Sequence, residues 1–127
     1  MLQNKKQQGV IVDIHNTLLN KDNTVNQKLY DIIKSLKTDY YICLITAHKY
    51  NSIASLHKNI EPLIHIYDYV YYNIYGLQND IDIKNKIYKT LIEPKLNITT
   101  VIDNNKKVLK MFRQLGLDTL RYKNHSK

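Results

Sequence analysis

Cysteine is all but absent from this chain of 127 residues: one thiol, Cys43, lies inside the apolar run Tyr40 to Ile45. A single cysteine excludes an internal disulfide, and its apolar neighbours make it an expected core residue. Long hydrophobic runs are missing as well. No stretch approaches the roughly 18 to 20 apolar residues of a membrane span, and Met1-Leu2-Gln3-Asn4-Lys5-Lys6 has no signal-peptide core, so a cytoplasmic protein with no membrane partner is expected. No segment rich in proline, glycine or serine offers a linker, and there is no internal repeat or low-complexity tract beyond a few terminal residues. The length fits one domain covering residues 1–127, with residues 1–7 and 123–127 expected as flexible basic tails. Hydrophobic content of 43% and charged content of 24% are ordinary for a globular protein.

The formal charge is +8, but its distribution limits what it means. Lys5, Lys6, Arg121, Lys123 and Lys127 have no acid nearby, which leaves only +3 for residues 9–120. Basic ends help hold a phosphate backbone, and equally they are solvated termini that aid solubility. Abundant Asn, Lys, Ile and Tyr point to an AT-rich genome and say nothing about activity.

Apolar runs alternate with helical patterns along the chain. Five strands are expected at Gly9 to Ile14, Tyr40 to Ile45, Tyr69 to Tyr72, Thr99 to Ile102 and Thr119 to Tyr122. Four helices are expected at Val25 to Leu36, Tyr50 to Lys58, Ile83 to Ile92 and Lys106 to Leu115. The last places Val108, Leu109, Met111, Phe112 and Leu115 on one face, with Lys106, Lys107, Lys110 and Arg113 off it and Gly116 as the stop. Strands alternating with such helices imply parallel crossovers, hence a doubly wound α/β sheet in three layers. Tyr67, Tyr69, Tyr71, Tyr72 and Tyr75 suit either a stacking platform for bases or packing against the sheet, and their strand-like alternation favours packing.

Parallel sheets hold ligands at the carboxyl ends of their strands, so the strand tips carry the functional reading. The first tip offers Asp13, within Asp13-Ile14-His15-Asn16-Thr17. The second is followed by Thr46-Ala47-His48. Asp80-Ile81-Asp82-Ile83-Lys84 opens the third helix, and the fourth strand ends at Asp103-Asn104-Asn105. Two carboxylates can hold Mg2+ through oxygen, while a hydroxyl and an ammonium can bind phosphate oxygens and neutralise their charge. Plainer roles stand beside these: a strand-end cap for Asp13, a strand-terminating turn for Thr46, a solvated helix position for Lys84, and helix capping for Asp80. His57, His65 and His125 have no ligand spacing with one another.

Asp13-Ile14-His15-Asn16-Thr17 resembles the first motif of the haloacid dehalogenase (HAD) superfamily, Asp-x-Asp-x-Thr after an apolar strand. Thr46 resembles its second motif, Lys84 its third and Asp103 its acidic fourth, in the same order and over nearly the whole chain. The run from Asp80 through Lys84, Ile87, Ile92 and Pro94 to Asp103, then Val108, Met111, Phe112, Arg113, Gly116 and Leu117, is similar to the 3'-phosphatase domain of phage-type polynucleotide kinase/phosphatase. That resemblance implies a phage or viral source acting in host cytoplasm. No Gly-x-x-x-x-Gly-Lys-Ser/Thr loop exists, so 5'-phosphorylation is not expected.

The resemblance implies a mechanism residue by residue. Asp13 attacks phosphorus in line and forms an aspartyl-phosphate that water hydrolyses. Mg2+ is held by Asp13, Asp103 and the backbone carbonyl of His15, with Asn104 beside them. Thr46 and Lys84 steady the transferred group. Thr17 closes the turn after Asp13, and Thr17, His48 and Asp80 are grouped with the substrate. Three departures stand out. His15 replaces the aspartate that serves the family as general acid/base, Asn104 replaces a second aspartate, and His48 replaces an arginine that binds substrate phosphate.

Only 28 residues separate Thr17 from Thr46, and 37 separate Thr46 from Lys84, which leaves no room for a cap domain. An open cleft suits a phosphate on a nucleic-acid end better than a small metabolite. The expectations therefore run from a Mg2+-dependent polynucleotide 3'-phosphatase, through a HAD phosphatase acting on a nucleotide or phosphoprotein, to a HAD-fold binding module in which His15 no longer supports catalysis. A receiver domain also uses strand-tip Asp, Thr and Lys, but it carries its phosphorylated Asp on the third strand, where this chain has no acid.

Overall fold

The structure is a computed structural model that describes residues 7–49 and 52–122. Its elements are β1 (Gln7–Asp13), α1 (Gln27–Leu36), β2 (Tyr41–Ile45), α2 (Ile53–Ile60), β3 (Tyr69–Tyr71), α3 (Asp80–Ile87), β4 (Leu96–Asp103), α4 (Lys106–Gln114) and β5 (Asp118–Arg121). A short 3-10 turn, Glu61–Leu63, follows α2, and a π-helical stretch, Tyr88–Ile92, prolongs α3. The five strands form one sheet in the order β3-β2-β1-β4-β5, and every pairing is parallel. Among the described residues no cap domain interrupts this pattern. None of their helices is long and apolar enough to cross a membrane.

Each helix begins on a side chain that satisfies its first free amides. Asn26 accepts from the amide of Leu29, Ser52 from that of Ser55, Asn79 from those of Ile81 and Asp82, and Asn105 from those of Lys107 and Val108. The helix expected from Ile83 thus starts three residues earlier, because Asn79 supplies its cap. The one expected from Tyr50 is described from Ile53, with Tyr50 and Asn51 outside the described residues. Gly116, at a φ of 91°, ends the turn after α4 in a conformation open to glycine.

Alternation along β1 divides the core. Val10 and Val12 face α1 and α2 through Leu29, Ile33, Leu56 and Ile60, whereas Ile11 faces α3 and α4 through Ile83, Ile87, Val108 and Phe112. These strand residues are buried, and each contributes about 1.5–3 kcal/mol by leaving water. Cys43 lies in the second cluster, where burial pushes its thiol up to about 12. Gly9 fits a close approach: a Cβ there would stand 3.2 Å from the Tyr41 carbonyl oxygen, a tight contact that the neighbouring strand would have to relieve by a few tenths of an ångström.

The tyrosines pack against the sheet. Tyr69 and Tyr71 stack with ring centroids 6.4 Å apart, and the Lys95 ammonium lies 4.9 Å from the Tyr69 centroid. The expected first tail included Gln7, which instead opens β1. Residues 1–6 and 123–127 lie outside the described residues.

Candidate active site

The strand order reverses between β1 and β4, and both strands end in an aspartate at the same edge of the sheet. A crevice at such a reversal is where open α/β sheets bind ligands. After Asp13 the chain turns sharply: the amides of Thr17 and Leu19 both donate to the Ile14 carbonyl, at 3.3 and 2.9 Å. Asn16 takes a φ of 63° within that turn, a left-handed conformation asparagine tolerates. The turn carries Thr17 back beneath Asp13, where its hydroxyl donates to Asp13 Oδ2 at 2.8 Å.

Lys84 comes from α3 and lies between the two aspartates. Its ammonium donates to Asp13 Oδ1 and Asp103 Oδ2, both at 2.8 Å. Asp103 Oδ1 accepts from the Asn105 amide at 3.0 Å. All three charged side chains are buried, so one negative charge in the cluster is uncompensated. Desolvation raises the Asp13 carboxyl from 3.8 to about 6; the Asp103 charge adds to the rise, and Lys84 and Thr17 oppose it. Burial alone lowers the Lys84 ammonium, but the two carboxylates outweigh it and hold Lys84 above the usual lysine range.

Asp13, Lys84 and Asp103 form the floor of a cleft of about 370 Å³. Thr46, His15, His48, Asp80 and Asn104 line it too. Thr46 follows β2, and its buried hydroxyl accepts from the His48 amide at 3.0 Å, so it shapes the turn while facing the cleft. His15 and His48, two of the departures from the HAD pattern, meet across the opening with ring centroids 5.1 Å apart. His15 is lowered below 6.5 by burial first, then by the neighbouring His48 and Lys84.

The side chain of Asn104 donates to the Asn16 carbonyl at 2.6 Å and ties the tip of β4 to the turn after β1. Asp80 lies on the lip; Asn79, not Asp80, caps α3. Thr17, grouped with the substrate from sequence, is fully buried behind Asp13 and does not line the cleft. Sequence reasoning passed over Asn16 and Asn105, which also line it. Their signals were an asparagine in the turn after a strand and an asparagine just before a helix.

The donor set fits Mg2+. Two hard carboxylates face one cleft with an uncompensated charge, and every carboxylate oxygen keeps a lone pair beyond its protein donor. Among the described residues no group of three or more His, Cys, Asp or Glu side chains is placed to hold a metal, so Mg2+ would complete its shell with backbone, water and substrate oxygens.

An open parallel α/β fold, without a cap among the described residues, and an acid-lysine-acid cluster at its strand-order reversal fit a HAD-like protein, as the matching family model does. The family model for the polynucleotide kinase PNKP phosphatase domain matches residues 15–125, and the chain belongs to that family. The match begins just after Asp13. The chain is similar to a solved structure of the Pnkp1/Rnl/Hen1 complex, with a TM-score of 0.83 and 16% identity over 98% of this chain and 49% of that one. A structure of the Pnkp1/Rnl/Hen1 RNA repair complex gives a TM-score of 0.80 and 18% identity over 94% of this chain and 43% of that one. This chain thus spans about half the length or less of these two chains, and at such identity the likeness shows the fold alone. No curated protein sequence matches it.

Proposed function

We propose that this chain is a Mg2+-dependent phosphohydrolase that removes a terminal 3'-phosphate from a polynucleotide by way of an aspartyl-phosphate on Asp13. The observation that carries the reading is the buried Asp13-Lys84-Asp103 cluster at the floor of an open cleft. Asp13 and Asp103 would hold Mg2+, which when bound offsets phosphate charge and steadies the developing charge of the reaction. A carboxylate oxygen of Asp13 bonds to phosphorus as the bond from phosphorus to the 3'-oxygen breaks, and that oxygen leaves with a proton from His15. Water then attacks the same phosphorus and gives its proton to His15. The bond to Asp13 breaks, which releases inorganic phosphate and restores the carboxylate. Lys84 lowers the repulsion between nucleophile and anionic substrate. The cleft's openness supports a phosphate on a macromolecular end, and the RNA repair complex that contains a structural relative agrees with a nucleic-acid substrate.

In Mg2+, purified protein should release phosphate from a 3'-phosphorylated oligonucleotide faster than from a nucleotide or phosphopeptide, and Asp13→Asn should lower the rate at least about 10^3-fold. Equal rates on all three substrates would sink the polynucleotide assignment. A second reading, a phosphate-binding module without turnover, is favoured by His15 and Asn104 standing where the resembling motifs have acids. Retained oligonucleotide binding with no phosphate release at high enzyme concentration would establish that reading in place of the first.

A further inference from the structure

We propose that the outer face of α4, with Arg121 at the end of β5, is a track for the phosphodiester backbone that leads a nucleic-acid strand into the cleft. The proposal rests on the polynucleotide reading and adds where the rest of the strand lies. Among the described helices α4 carries the most cations without an acid: Lys106, Lys107, Lys110 and Arg113 are exposed, whereas α1 and α3 mix the two signs and α2 has the single lysine Lys58. The arrangement is unfavourable for a free helix. Lys106 and Lys107 occupy the first turn, where the helix dipole disfavours positive charge, and Lys110 faces like charges one turn away in both directions. Among the described residues no ion pair offsets this repulsion, whereas a polyanion would.

The face is also continuous with the cleft. Arg121 donates through Nε to the backbone carbonyl of Asn104, a cleft-lining residue, at 3.1 Å, so a cation is pinned at the lip. Arg113, at the other end of α4, is steadied by Thr119 at 3.0 Å. Asp118 is the acid of β5, and it begins that strand at the end away from the cleft. Lys106 to Arg113 cover about 10 Å of helix, enough to meet successive phosphates of one strand.

Fluorescence anisotropy with a labelled single-stranded oligonucleotide, in chelator so that no turnover occurs, tests the track. The triple variant Lys106→Gln, Lys107→Gln, Lys110→Gln should weaken binding about tenfold and reduce the salt slope by roughly 2. A charge-matched control, Lys28→Gln, Lys34→Gln, Lys58→Gln on the helices of the opposite sheet face, should stay within about twofold of the parent. The loss should be the same with or without a 3'-phosphate on the oligonucleotide, because the track grips the backbone. Equal loss in both triple variants, a loss under twofold in the first, or no oligonucleotide affinity in the parent protein would overturn the proposal. Phosphate release is measured separately, so a chain that binds along α4 without turnover would retain the track and lose only the catalytic reading.

Discussion

On the floor of the cleft Asp13, Lys84 and Asp103 are at most 5% exposed, and each aspartate bonds the lysine at 2.8 Å. On the rim His15, His48, Asn104 and Asp80 are half-buried or exposed, and they hold loops together or face solvent. The floor matches the HAD pattern while the rim departs from it three times. Burial explains the contrast. Removing one charge from a buried cluster strands the others without solvent, so floor residues are fixed jointly, whereas an exposed residue can change alone at little energetic cost. The residues that match the superfamily therefore sit where physics permits least change, and the three that depart from it sit where it permits most.

The comparison breaks first at Lys84. Lys84→Met leaves two buried carboxylates facing each other, and it should lower stability by about 3 kcal/mol or more and abolish phosphate release. Chemical denaturation that shows parent-like stability would mean the floor is not a coupled unit. His15→Asp tests the rim. It should alter kcat by at least about tenfold while moving stability by no more than about 0.5 kcal/mol. A gain marks His15 as an impaired acid/base, a loss marks it as a working one, and a large stability change would erase the distinction between floor and rim.

The smallest effect is in pH. Burial raises the Asp13 carboxyl in the metal-free protein, and in the proposed mechanism only its ionised form attacks phosphorus, so the rate should fall towards acid pH, with that limb moving lower as Mg2+ is raised. The Thr17 hydroxyl bond favours the ionised form, so Thr17→Val should move this acid limb upward, read from a pH-rate profile, with about 1 kcal/mol of stability lost. Folding responds with the opposite sign to pH. A carboxyl raised above its unfolded value of 3.8 binds its proton more tightly in the folded state, so its contribution to stability declines as pH climbs from there towards 6.

Much of this is legible in the amino-acid sequence alone. Apolar runs ending in Asp13 and Asp103 located the central strands and their tips, because a strand buried on both faces has to be apolar until it reaches the edge. Boundaries were less visible. β4 starts at Leu96, earlier than its apolar run suggests, since exposed Asn97 interrupts the run without leaving the ladder. The cap of α3 was missed because Asn79 is polar and outside the periodic segment. Thr17 could be assigned to the turn but not to its burial, which depends on Asn16 adopting a left-handed conformation. The meeting of His15 with His48 was beyond reach from sequence, because 33 positions separate them and only the β1-β2 register brings them together.

That Lys84 bridges one aspartate 71 positions before it and another 19 after it also bears on how the molecule forms. Contacts between distant parts of a chain close slowly, since loop entropy is lost before the contact repays it. β1 lies between β2 and β4, so its tip is flanked only when both halves of the sheet have docked. Lys84 can therefore bridge the two carboxylates only after β1, α3 and β4 have come together. A chain in which any one of these elements is undocked has no such cluster, so the arrangement of charge at the cleft floor is a property of the complete fold alone.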